Sequence, residues 1–167
     1  MSETPQEYTK RILGYLNGKE PLTILAATPA RLAELTRGRP ANVLARNPAP
    51  GKWSVTEILA HLADVEMVIG YRVRMILSKP GTAIQAFDQD EWAKLSRYVS
   101  VPAAQSLERQ RVQRESTVTL LKALLPEQWE HYGMHAERGK ETVSRVVEMA
   151  AGHDINHLRQ IEKILTV

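Results

Sequence analysis

The stretch from Val55 to Ile76 limits what the rest of the chain can be. Val55, Ile58, Leu59, Leu62, Val65, Ile69, Val73 and Ile76 recur at the roughly 3.6-residue period of an amphipathic α-helix. A helix with so long an apolar stripe must bury it against other elements. No segment of the chain shows the sustained apolar–polar alternation of a half-buried strand. The expected partners are therefore more helices. Ser54 and Glu57 have the spacing of a capping box, in which each side chain satisfies the other's free backbone N–H, and Pro80-Gly81 ends the helix.

Proline and glycine divide the remainder. Thr4 to about Asn17 reads as one helix, with Thr4 as N-cap and Pro5 in the first turn. Pro21 to Ala27 reads as another, and Thr28-Pro29 as a further cap leading to Arg37-Gly38. A break or kink is thus expected at Pro29, which cannot extend the preceding helix cleanly. Arg39 to Lys52, with Pro40, Pro48, Pro50 and Gly51, is a long connection. A short helix is expected from Asp90 to Tyr98, and Ser100 and Pro102 open a long one to about Leu125. Pro126 begins a turn through Trp129, and His131 to Lys140 reads as a polar loop. Thr142 to about Leu165 is the last long helix. Four long helices joined by longish connections predict an all-α fold, a four-helix bundle with short additional helices in its connections.

A chain of 167 residues fits a single domain, 1–167, with a substantial core. Its 43% apolar and 25% charged residues are those of a globular protein. The formal charge of +3 is small, and runs such as Glu108-Arg109-Gln110-Arg111 interleave the two signs. None of the nine aromatic residues sits in a basic cluster, so no nucleic-acid partner is expected. There is no apolar run of the roughly 18 residues that a membrane span needs, and MSETPQEYTK has no signal-peptide core. The expected setting is cytoplasmic, with no membrane contact. The absence of cysteine excludes disulfides, thiolate ligands and a cysteine nucleophile together.

Chemistry concentrates in the histidines. His153 and His157 stand four apart on the last helix, one above the other. At about 100° per residue, with the apolar stripe centred on Ala150, His157 lies near its centre and His153 within about 60°. His61 lies about 60° from the stripe of its own helix, within reach of the interior. Three neutral imidazoles suit zinc, nickel, copper or iron, whereas magnesium and calcium prefer oxygen. Three protein ligands leave at least one coordination position open. Histidines on a core-facing helix surface are also commonly structural, hydrogen-bonded residues.

Two longer stretches carry a family resemblance. Gly51-Lys52-Trp53-Ser54-Val55-Thr56-Glu57-Ile58-Leu59-Ala60-His61-Leu62-Ala63-Asp64-Val65-Glu66 resembles the second-helix signature of the DinB-like (YfiT-like) metalloenzyme family. Ala150-Ala151-Gly152-His153-Asp154-Ile155-Asn156-His157-Leu158-Arg159-Gln160-Ile161 is similar to that family's last-helix motif, two histidines four apart followed by Gln-Ile. Pro21-Leu22-Thr23-Ile24-Leu25 with Thr28-Pro29 resembles its N-terminal region. The resemblance implies a four-helix bundle in which His61, His153 and His157 bind one divalent transition metal, zinc or nickel foremost. It further implies a homodimer and a small-molecule substrate. Chemically the family is diverse, embracing thiol-dependent S-transferases, a maleylpyruvate isomerase and proteins called metal-dependent hydrolases.

Asp64, Glu66 and Asp154 are the carboxylates nearest in sequence to orient an imidazole. Asp154 is a candidate proton acceptor, with a salt bridge the competing role. His135 is a candidate for substrate contact or proton transfer, although an exposed loop histidine is the commoner case. Trp53 is expected to anchor the start of its helix, with a place above the metal as the alternative, and Trp92, Arg97 and Tyr98 to pack. Two functions follow: a metal-dependent hydrolase or low-molecular-weight-thiol S-transferase, or a non-catalytic metal-binding or stress-response interaction protein.

Overall fold

The computed structural model describes residues 3–166. Its helices are α1 (Pro5–Gly14), α2 (Pro21–Thr36), α3 (Ala41–Leu44), α4 (Val55–Ser78), α5 (Gln89–Leu95), α6 (Ala103–Lys122) and α7 (Val143–Thr166). Three short strands, β1 (Thr82–Ile84), β2 (Tyr132–His135) and β3 (Gly139–Thr142), complete it. The long helices α2, α4, α6 and α7 form the predicted bundle. In that ring α6 and α7 each lie between α2 and α4, so α2 stands diagonally across from α4. The capping boxes at Thr4–Glu7 and Ser54–Glu57 form with both reciprocal bonds. Among the described residues no helix is long and apolar enough to cross a membrane.

Two expectations are corrected. The first is the absence of strands: β1 pairs in parallel with β2, and β2 pairs with β3 as an antiparallel hairpin, so the expected polar loop from His131 to Lys140 is largely sheet. Strands of three and four residues are too short for alternation to show in sequence. Gly133 permits the pairing, since a Cβ there would sit 2.5 Å from Ile84 Cδ1. The second is the break at Pro29. α2 runs uninterrupted through Pro29, because the bond that proline deletes is replaced by another donor.

That donor is Arg114 of α6. Proline has no N–H for the carbonyl four residues back, which here is Leu25. Arg114 Nη1 donates to the Leu25 carbonyl at 3.0 Å. The same guanidinium pairs with Glu66 of α4 at 2.6 Å and Asp154 of α7 at 2.6 Å. All three charged residues are buried, at 2%, 1% and 1% exposure. Burial alone would favour the neutral arginine, but the Asp154 and Glu66 carboxylates outweigh it and hold Arg114 charged. The Glu66 carboxyl is pushed up by burial, with Arg114 opposing.

This polar layer divides the core. On one side lie Leu25, Ile69, Val73, Ile76, Val118 and Val146. On the other are Leu32, Val55, Ile58, Leu62 and Ile161. α1 lies against α7 at Gly152, where an added Cβ would stand 2.2 Å from the Ile12 carbonyl oxygen. Removing one partner of a buried ion pair typically costs about 3–5 kcal/mol. Arg114→Met is expected to lower unfolding stability by about that amount, measured by urea denaturation, because it strands Glu66 and Asp154. Adding Glu66→Gln and Asp154→Asn should return part of the loss.

Candidate metal centre

The three histidines meet where α4 and α7 pass each other. His61 Nε2 and His157 Nε2 each stand 3.1 Å from His153 Nε2. Ring centroids are 4.4 Å apart for His153–His157, 5.0 Å for His61–His157 and 5.2 Å for His61–His153. His61 and His157 are buried and His153 is partly exposed, so the cluster reaches solvent through His153. Among the described residues this is the group of histidines and carboxylates whose ligand atoms lie within 4.8 Å of one another.

The donor set fits a transition metal. Nitrogens at about 2.0–2.1 Å from a tetrahedral zinc would lie ~3.4 Å apart, close to the spacing here. Gln160 Oε1 lies 3.0 Å from His157 Nδ1 and selects the Nδ1–H tautomer, leaving the Nε2 lone pair pointing into the cluster. A neutral imidazole nitrogen is either donor or acceptor. His153 Nε2 would otherwise have to serve two neighbours, while the buried Nδ1 atoms of His61 and His153 have no partner among the described residues. A cation satisfies all three Nε2 lone pairs together. The rings are also kept neutral, as ligation requires. Burial, reinforced by His157, lowers His61 to about 3. Burial lowers His157 to about 4, against the raising effect of Gln160. His153 is pushed well down by burial and then by its two neighbours.

The surrounding carboxylates do other work. Asp154 lies one residue from His153, but its oxygens face Arg114 at 2.6 and 3.3 Å. The salt bridge, rather than proton acceptance, is the role the geometry assigns it. Glu66 shares that arginine, and Asp64 accepts from the Tyr98 hydroxyl at 2.7 Å and from Arg109. Glu57 caps α4 and also accepts from Asn47. The contact that orients an imidazole comes instead from Gln160, whose i,i+3 spacing from His157 could have been read from the sequence. His135 is neither exposed nor in the cluster. It is buried at the end of β2, and its Nδ1 accepts from the Glu137 N–H at 3.2 Å. Burial, then Arg138, lowers its pKa.

Trp53 leads into α4, and its ring centroid lies 4.9 Å from that of His61 and 6.1 Å from that of Tyr98. Trp92 packs on Phe87 at 4.7 Å. Two clefts open onto the cluster. One, of about 190 Å³, joins His61 and His153 to the apolar side chains of Val65, Ile69, Val146 and Met149. The other, of about 440 Å³, is polar, with Arg11, Lys52, Asn156 and Gln160 beside His153 and His157. Tyr8 of α1 borders both. Tyr8 and Arg72, which also borders the apolar cleft, were not evident as site residues in the sequence.

Elemental analysis of the purified protein is expected to find about one transition-metal ion per chain. It should find almost none in His153→Ala or His157→Ala; undiminished metal in both would defeat the assignment. Protons compete for the same nitrogens. In the unfolded chain the histidines titrate near their usual value of about 6.5, but folded and metal-free they resist protonation. The unfolded state then binds more protons, so stability rises with pH across this interval. Melting of chelated protein should therefore be flat above about pH 7 and fall as the pH drops from about 6.5 towards 4. A pH-independent melting temperature would mean that the rings are not held neutral.

Residues 24–161 match the family model described as the DinB superfamily. A protein of Oceanobacillus iheyensis named "Putative metal-dependent hydrolase" is 28% identical over 114 residues, 68% of this chain and 66% of that relative. A second protein of that organism and name is 26% identical over 136 residues, covering 81% of this chain and 78% of the relative. The solved structure of YfiT from Bacillus subtilis superposes with a TM-score of 0.81 at 20% identity, over 98% of this chain and 88% of YfiT, and its four-helix bundle topology is described as unusual. The chain, a helical bundle with three histidines gathered between α4 and α7, belongs to the DinB superfamily.

Proposed function

We propose that this protein is a metal-dependent hydrolase of a small molecule, with His61, His153 and His157 holding one divalent transition metal, zinc or nickel. The observation that carries the reading is the convergence of three Nε2 atoms at a point bordered by two open clefts. A closed structural site would have no such access. An ion held there by His61, His153 and His157 would supply Lewis acidity, to polarise a bound group or lower the pKa of water. The names of the relatives support hydrolysis as the reaction class.

The chain's own residues prepare that chemistry. Gln160 fixes one ring tautomer and Trp53 packs against His61, so the imidazoles are oriented before any ligand arrives. Arg114 ties α7 to α4 through Asp154 and Glu66 near the level of the histidines, which holds the two ligand-bearing helices in register. Burial raises the Tyr8 phenol, which stays protonated and can donate a hydrogen bond to substrate at the junction of the clefts.

A second reading has one observation in its favour. Two clefts meeting at His153, one more apolar and the other more polar, suit a reaction between two molecules, an electrophile on the more apolar side and a hydrophilic low-molecular-weight thiol on the other. An assay panel distinguishes the readings. Ester or amide cleavage by the metal-loaded protein supports the hydrolase, whereas conjugation of glutathione, bacillithiol or mycothiol to a model electrophile supports the transferase. Either activity should vanish on chelation while circular dichroism retains its helical signal, because the core does not depend on the metal. Loss of helicity with the metal would indicate a structural site instead.

A further inference from the structure

The face of α4 that carries His61 continues beyond it. At about 100° per residue Arg72 lies about 20° round the helix from His61, and at about 1.5 Å per residue about 16 Å further along the axis. Val65 and Ile69 come between them. α7 passes in the opposite direction and contributes Val146 and Met149, so the apolar cleft is a track from the imidazoles to Arg72.

The far end of this track carries two guanidinium groups and the carboxylate of Glu141. Arg138 and Glu141 neutralise each other, with two contacts at 2.8 and 3.0 Å. Arg72 has no carboxylate partner among the described residues. It donates from Nη2 to the Gln85 carbonyl at 2.6 Å, and its guanidinium lies 5.9 Å from the Phe87 ring centroid. The group is half-buried; burial and then the neighbouring Arg138 disfavour its charge, while the more distant carboxylates of Glu141 and Glu137 favour it. A guanidinium nonetheless stays protonated at neutral pH. A partly desolvated planar cation with donors left over, at the end of an apolar track, is built to receive an oxyanion.

We propose that the apolar cleft binds a small amphiphilic molecule with its terminal oxyanion, a carboxylate or phosphate, on Arg72, its apolar body along Val65, Ile69, Val146 and Met149, and its other end at the histidines. The placement of the reacting end rests on the hydrolase reading. The contact between anion and Arg72 does not.

Isothermal titration calorimetry with hexanoate, hexyl phosphate and 1-hexanol tests this on the protein as purified and again after chelation. At least one anion should bind about tenfold more tightly than the alcohol, and Arg72→Gln should remove about that factor. The alcohol's affinity should be unchanged by the substitution. The preference between hexanoate and hexyl phosphate identifies which oxyanion the site takes. Anion selectivity should survive chelation. If it disappears with the metal and ignores Arg72→Gln, the ion itself is the anion site and the proposal fails. It also fails if the alcohol binds as well as the anions or if none of the three binds. The wild-type comparison keeps its force should Arg72→Gln not fold, which a thermal melt would reveal. A protein without metal or activity would overturn the hydrolase reading while leaving the Arg72 result to stand or fall separately.

Discussion

The bundle is organised around a positive charge that cannot reach water. Arg114 leaves α6 and meets a carboxylate from α4, a carboxylate from α7 and a backbone carbonyl from α2, so one side chain touches every other long helix. A buried guanidinium tolerates little misalignment, since an unpaired buried charge costs far more than a displaced methyl group. Interdigitated apolar side chains resist sliding as well, but they tolerate repacking that a buried charge does not. The ionic layer adds a directional constraint to this packing, and Pro29 contributes by releasing the Leu25 carbonyl for it.

The histidine cluster depends on this registration. His61 lies five residues before Glu66, and His153 immediately precedes Asp154. Fixing the two carboxylates on one guanidinium thus also fixes the height at which the imidazoles face one another. Orientation within the layer is then local: Gln160 on one ring, Trp53 against another. The nearby acids Asp64, Glu66 and Asp154 are tied to arginines and a tyrosine. Little negative charge is left free to compete with the nitrogens for a cation.

What could be read from the sequence followed from local periodicity. The stripe of α4, the four-residue spacing of His153 and His157 and the capping box at Ser54 are properties of single helices, and each survives folding unchanged. The residue patterns around His61 and His153 carried the family resemblance. What could not be read depends on contacts between distant segments. Pro29 signals a helix break in isolation, and only the arrival of Arg114 makes an unbroken α2 acceptable. β1 pairs with β2 across about fifty intervening residues, through strands too short to leave a pattern. His135 resembles an exposed loop histidine until the hairpin covers it. Arg72 lies on the face of α4 that carries His61, so helix geometry alone could have singled it out, but that no carboxylate among the described residues pairs with it is a fact of three-dimensional structure.

The close approach of α1 at Gly152 separates recognition from architecture. This helix of ten residues lies outside the four-helix ring, yet it delivers Tyr8 to both clefts and Arg11 to the polar one. Its seat on α7 is a glycine beside the Ile12 backbone, a footing that asks little of the α1 side chains at the cleft. Substitutions in this short helix can therefore alter what the clefts admit while the ionic layer and the imidazoles stay as they are. A bundle arranged in this way can acquire new ligands without having to fold anew.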